Sequence, residues 1–141
     1  MLVEMLKRVF RWADVATCVV ILGLAIAFRP HTQWWFIGIG LATANLPLWI
    51  AARLQLGSAF SIKARAQRLV TSGLYAKISH PIYLFGCLAV FGALLALQIW
   101  VILVIWLALT PFELVRIRRE NQVLRATFGD EYERYRSATW F

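Results

Sequence analysis

The residues best suited to chemistry in this chain fall into two clusters. The first is Gly73-x-Tyr75, followed by His80-Pro81-x-Tyr83. The second is Arg116-x-x-x-Glu120-Asn121, followed by Leu124, Phe128-Gly129 and the tyrosine pair Tyr132-x-x-Tyr135. Pro81 fits the first turn of a helix, where its missing N–H is not needed. His80 is then held extended beside the helix start. Free backbone N–H groups and the positive end of the helix dipole favour a carboxylate or phosphate there. Arg116 and Glu120, one turn apart, share a helix face and offer a cation and an anion to one ligand. Each feature alone has a plainer reading: a helix cap, a surface ion pair, tyrosines anchored at a membrane interface.

The elements that must position these clusters are apolar helices. The chain has 141 residues, is 61% hydrophobic and carries only 16% charged residues, well outside the usual globular composition. An integral membrane protein follows. In so apolar a chain, the net charge of +8 reads as basic residues facing anionic lipid, not as a nucleic-acid footprint. Cys18 and Cys87 lie inside apolar runs without metal-ligand spacing, so buried thiols are expected instead of a disulfide or a metal site. No cleavable signal peptide is expected, because the N-terminal residues lead directly into a spanning pattern.

Residues 1–11 read as a short amphipathic lead. Spans are expected at about 12–28 and 34–52, with Trp34 and Trp35 as interfacial anchors. Asn45 is expected to hydrogen-bond another helix, and Pro47 to kink its own. The segment from Arg53 to Ile78 leaves the bilayer with five basic residues and no acidic one, and its 53–68 part reads as a lipid-facing patch. From Pro81 to Phe112 the chain runs 32 residues without a formal charge. As one helix that run would be roughly 48 Å long, against a hydrocarbon core of roughly 30 Å. A hairpin of two short spans, 81–97 and 99–115 with the turn near Gln98, resolves the mismatch. Gly86 and Gly92 read as close-packing positions on it. With four spans, all but Arg29 of the 15 Lys and Arg residues lie on one side, as the positive-inside rule demands. The tail, 116–141, reads as helical, with Gly129 as a C-cap and Asp130/Glu133 as a capping box for a last short helix. The expected fold is an all-α membrane bundle of about four transmembrane helices with a C-terminal cytoplasmic helix. It forms a single domain over 1–141, in a bacterial inner membrane with both termini cytoplasmic.

In their order, the two clusters resemble the C-terminal half of the isoprenylcysteine carboxyl methyltransferase family and its phospholipid methyltransferase relatives. That pattern runs Gly-x-Tyr, Arg-His-Pro-x-Tyr, an apolar hairpin, Arg-x-x-x-Glu-Glu, Leu, Phe-Gly and a tyrosine pair. It covers about residues 68–136, half the chain. Ser79 stands where the family usually has arginine, and Asn121 where it has the second glutamate.

The resemblance implies S-adenosylmethionine (SAM) as cofactor and methyl transfer to a carboxyl or other nucleophilic group of a lipophilic or lipidated acceptor at the cytoplasmic face. Gly73, Tyr75, His80, Pro81, Tyr83, Glu120, Asn121 and Tyr132 would then form the cofactor site, with Arg116 and Glu120 as the catalytic pair. The implied partners are the bilayer and the acceptor, with a homo-oligomer left open. Two alternatives stand beside this reading. One is an NADPH-dependent reductase, since membrane sterol reductases end in a similar pattern. The other is a catalytically degenerate membrane scaffold.

Overall fold

The computed structural model describes residues 2–28, 31–57 and 69–140, with side chains from Trp12 onward. The basic residues Lys63, Arg65 and Arg68 of the expected lipid-facing patch therefore lie outside the described residues. The chain runs through helices α1 (Leu2–Phe28), α2 (Gln33–Leu56), α3 (Pro81–Leu97), α4 (Trp100–Phe128) and α5 (Asp130–Ala138), with a 3-10 turn at Gly73–Ala76 before α3. Among the described residues there is no strand, only a single parallel bridge between Ile78 and Trp140. The all-helical expectation holds. By length and composition α2 and α4 suffice to cross a membrane, and Trp12–Phe28 and Pro81–Leu97 are shorter apolar segments.

The centre of the fold is the α2–α3 contact, made by small residues. A Cβ added at Gly38 would lie 2.5 Å from the backbone nitrogen of Ala96. One at Gly92 would lie 2.6 Å from the backbone nitrogen of Ala42, and one at Gly86 2.8 Å from the Trp49 ring. These pairs fix the two helices as antiparallel neighbours with their backbones nearly touching. In lipid, where apolar surface alone gives no drive to associate, such close packing supplies the attraction. Of the glycines expected to mark close packing, Gly86 and Gly92 both do so. α1 lies against this pair through Val15, Cys18 and Leu22.

The two ends of the bundle are polar and distinct. At one end Asp14 and Arg53 form an ion pair between α1 and α2. The Arg53 guanidinium also lies 5.7 Å from the Trp12 ring centroid and 5.2 Å from that of Trp49. At the other end Thr32 caps α2 by accepting from the Trp35 N–H at 3.2 Å. Gln98 donates to the same Thr32 hydroxyl at 2.6 Å, and Trp34 packs edge-on against Trp100 at 6.1 Å. The α1–α2 and α3–α4 turns thus sit at the same end. The hairpin turns where expected: Gln98 adopts a left-handed conformation (φ 58°), and its N–H closes on the Leu94 and Leu95 carbonyls.

Three local readings change. The lead and the first span are one helix, since α1 begins at Leu2. Asn45 is buried, but its amide donates to Leu41 of its own helix at 2.9 Å, not to a neighbour. The tail is helical as expected, its first part a continuation of α4, which runs through Pro111 to Phe128. Proline removes the N–H that would satisfy the Leu107 carbonyl, and the Thr110 hydroxyl donates to that carbonyl instead, at 2.7 Å. The capping box is also absent. Gly129, at φ 50° and ψ −123°, closes α4 and occupies the N-cap of α5 with no side-chain cap. Arg125 and Glu133 pair across this corner at 2.9 Å.

The packing account is checked by a matched pair of glycine variants. Gly92→Ala should destabilise the detergent-solubilised protein by about 1–3 kcal/mol, the usual cost of overpacking. Gly40→Ala, which meets nothing within 4 Å, should leave thermal unfolding unchanged or slightly raised.

Candidate functional site

The start of α3 carries the site. His80 is its N-cap and Pro81 its first residue, as the sequence predicts. The His80 side chain caps none of the helix's N–H groups. Instead its Nε2 meets Asn121 Oδ1 on α4 at 2.7 Å, and the same oxygen accepts the Tyr132 hydroxyl from α5 at 2.6 Å. One amide oxygen therefore joins three helices. His80 and Tyr132 are buried, at 4% and 0% exposure.

α5 folds back over the segment that precedes α3. Arg136 donates to the Ser79 hydroxyl at 2.8 Å, and Ser79 and Thr139 share a hydrogen bond of 2.7 Å. The Tyr135 hydroxyl donates to the Tyr75 carbonyl at 2.8 Å, and the Trp140 N–H to the Lys77 carbonyl at 3.1 Å. Tyr132, Tyr135, Arg136 and Thr139 follow an i, i+3, i+4, i+7 pattern, the single face of a helix. Arg136, Ser79 and Thr139 are absent from the residues that sequence reasoning selects, although that spacing was available as a signal. Ser79, where an arginine would be usual in the resembled family, receives a guanidinium from α5.

Gly73 holds φ 64°, and a Cβ there would meet the Gln55 side chain at 2.6 Å. Gln55 also accepts the Leu74 N–H at 2.9 Å, which ties the 3-10 turn to the end of α2. Two requirements thus select glycine at 73: a left-handed backbone and a close neighbour. The Tyr75 side chain that follows is 6% exposed, and its hydroxyl is buried without a hydrogen-bond partner. Such orphaned groups are rare enough to call for an explanation.

Glu120 is the electrostatic centre of the cluster. Its carboxylate acts on Tyr75, His80, Tyr83, Tyr132 and Tyr135. The Tyr83 ring lies 6.0 Å from the His80 ring, edge to face, and the Arg116 guanidinium sits 5.8 Å over it. Arg116 does not pair with Glu120. Its ion pair is with Glu113, three residues earlier, at 3.2 Å. Every residue expected at the site therefore lies at or beside the α3 start, with Arg116 at its edge and mostly exposed.

Burial, then the charges of Glu120, Tyr135 and Tyr83, raise the Tyr75 phenol far above its ordinary range, against Arg53. Burial followed by Tyr132 raises Tyr135 to about 12. Both stay protonated at neutral pH. His80 moves the other way. Burial lowers its pKa below 6.5 and Arg136 adds to that, while Glu120 and the Asn121 hydrogen bond oppose it.

A sequence model of the phospholipid methyltransferase family matches residues 34–131. This span runs from the start of α2 to the first turn of α5 and includes Gly73, Tyr75, His80, Tyr83, Glu120 and Asn121, ending one residue before Tyr132. The chain belongs to that family. Among curated proteins, a protein-S-isoprenylcysteine O-methyltransferase of Schizosaccharomyces pombe is 35% identical over 92 residues, which are 61% of this chain and 39% of that protein. The matched part is thus well under half of that relative's length. No solved structure gives a significant match. The two long apolar helices and the family together make this a membrane protein.

The His80 shift has a sign that stability measurements can read. The unfolded chain takes up a proton near pH 6.5, and the folded chain only at lower pH. The unfolded state therefore binds more protons between those values. The contribution is complete above about pH 6.5 and is lost as pH falls through the folded-state value. Thermal unfolding in detergent from about pH 8 to 5 should show the wild type losing stability below about 6.5, and His80→Gln should give a flatter curve over that window.

Proposed function

We propose that the cluster at the α3 start binds S-adenosylmethionine and that the protein transfers its methyl group to a lipophilic acceptor at the membrane face. The observation that carries this reading is the buried, unpartnered Tyr75 hydroxyl, within electrostatic reach of Glu120, in the same cluster as the Asn121 oxygen that joins three helices through His80 and Tyr132. It supports a site built around a polar ligand, and its chemistry fits this cofactor. The start of α3, with the Arg136 guanidinium at Ser79, suits a carboxylate. Glu120 suits an ammonium or ribose hydroxyls, Tyr75 supplies one more hydrogen-bonding group, and the Tyr83 ring offers an apolar face.

When bound, the cofactor supplies an electrophilic methyl group on a positively charged sulfur. This chain's residues bind it, orient it and exclude water. A carboxylate acceptor is already ionised at pH 7, so no group here has to remove a proton from it, and positioning does the work. Arg116, exposed and outward of Glu120, is the residue we assign to an anionic acceptor, where a guanidinium can make two parallel hydrogen bonds. Glu113 shares that guanidinium in the present structure, so an acceptor carboxylate would compete with it. The topology we propose has four spans, with the site and both termini on the cytoplasmic side. Its support is that the α1–α2 and α3–α4 turns share the opposite end.

Two experiments check this. Calorimetry of the detergent-purified protein should detect SAM and its demethylated product but not NADPH. His80→Ala and Glu120→Ala should each weaken SAM by about 1–3 kcal/mol, and the exposed Glu131→Ala should not. NADPH binding would favour a reductase, and no binding of either a scaffold. For the acceptor, Arg116→Lys should keep SAM affinity within about twofold and lower turnover on a lipophilic acid at least about tenfold, roughly 1.4 kcal/mol. Full turnover on the acid, or a wild-type preference for an amine of equal chain length, would remove Arg116 from the acceptor site.

A further inference from the structure

We propose that Asn121 is a positioning residue that holds His80 as the neutral imidazole with its proton on Nε2. Asn121 Oδ1 faces two groups, His80 Nε2 at 2.7 Å and the Tyr132 hydroxyl at 2.6 Å. An amide oxygen only accepts. Both neighbours must then donate, which puts the imidazole proton on Nε2 and leaves Nδ1 as an acceptor. The Tyr132 hydroxyl donates to the same oxygen, so Asn121 presents its acceptor end to both α3 and α5.

The surroundings keep the ring neutral. His80 is buried at the positive end of α3, where an imidazolium is disfavoured. The charged groups that bear on it are Glu120 from α4 and Arg136 from α5, of opposite sign. The neighbouring ring of its own helix is Tyr83, and Tyr132 acts through Asn121. A carboxylate in place of the Asn121 amide would change this. At 2.7 Å it would draw a second proton onto the ring, giving an anion–cation pair where this chain has two neutral groups. Both arrangements carry the same net charge. With Asn121 the ring presents an acceptor nitrogen, where an imidazolium would present a donor. A cofactor group that meets Nδ1 must then donate to it, a consequence that rests on the function proposed above. The tautomer itself does not.

The test reads the ring directly. The full chain carrying His31→Gln leaves His80 as the one histidine, and it is labelled with 15N-histidine and followed by NMR in detergent from about pH 8 to 5, without cofactor. The expected result at pH 7 is a protonated Nε2 and an unprotonated Nδ1. Asn121→Asp should raise the midpoint by at least about one pH unit, so that both nitrogens are protonated at a pH where the wild-type ring is still neutral. Asn121→Leu, which keeps the volume and removes the acceptor, should lose the single tautomer. An Nδ1-protonated or doubly protonated wild-type ring at pH 7, an unshifted midpoint in the Asp variant, or an unchanged tautomer in the Leu variant would each overturn the proposal. Because no cofactor is present, failure here is separate from failure of the SAM assignment.

Discussion

Ser79 and His80 are buried beside an apolar helix, in a chain that is 61% hydrophobic. A buried polar group left unpaired costs roughly 1–3 kcal/mol, and the residues next to them in sequence cannot satisfy both. Much of the C-terminal half answers this constraint. α4 reaches past its apolar stretch to bring Asn121 to His80. The reversal at Gly129 turns the chain so that α5 can supply Tyr132, Arg136 and Thr139. Without α5, the polar start of α3 would lose the hydroxyl that shares Asn121 with His80 and the groups that satisfy Ser79. In this fold the site and the closure of the C-terminal helices are one structure.

The membrane-embedded packing determines where that structure sits. The Gly38, Gly86 and Gly92 contacts hold α2 and α3 at backbone distance. That register brings Gln55, at the end of α2, to the Leu74 N–H and so places the turn that carries Tyr75. α4 is much less covered, with Leu103 its one buried residue. α1 to α3 are thus the more closely packed part of the protein, and α4 is held to α3 by Leu103 against Leu94 and Leu95, by the Gln98 turn and by the polar cluster.

The apolar periods and the charge distribution made the helices legible. The uncharged run from Pro81 to Phe112, too long for one span and with Gln98 as the only polar side chain from Leu84 to Leu109, identified the hairpin. His80-Pro81 marked the helix start, because proline's geometry acts locally. What the sequence left unread depends on partners distant along the chain. Asn45 turned inward to its own helix. α4 passes through Pro111, with the Thr110 hydroxyl supplying the Leu107 carbonyl with the hydrogen bond that proline removes. Arg116 went to Glu113 instead of lying beside Glu120, a choice between two neighbours that spacing alone cannot make. Arg136 was missed because its partner, Ser79, lies 57 positions away. The family resemblance supplied the order of the motifs. The single amide oxygen joining His80 to Tyr132 comes from the structure.

The central claim is that the buried polar cluster at the α3 start is where the cofactor binds. A structure of the purified protein with S-adenosylhomocysteine tests it most directly. The account predicts the ligand against Tyr75, Tyr83 and Glu120, with its carboxylate toward the start of α3 and the Tyr75 hydroxyl within hydrogen-bonding distance. A ligand bound instead near Asp14 and Arg53, or at the Thr32–Gln98 end of the bundle, would contradict it.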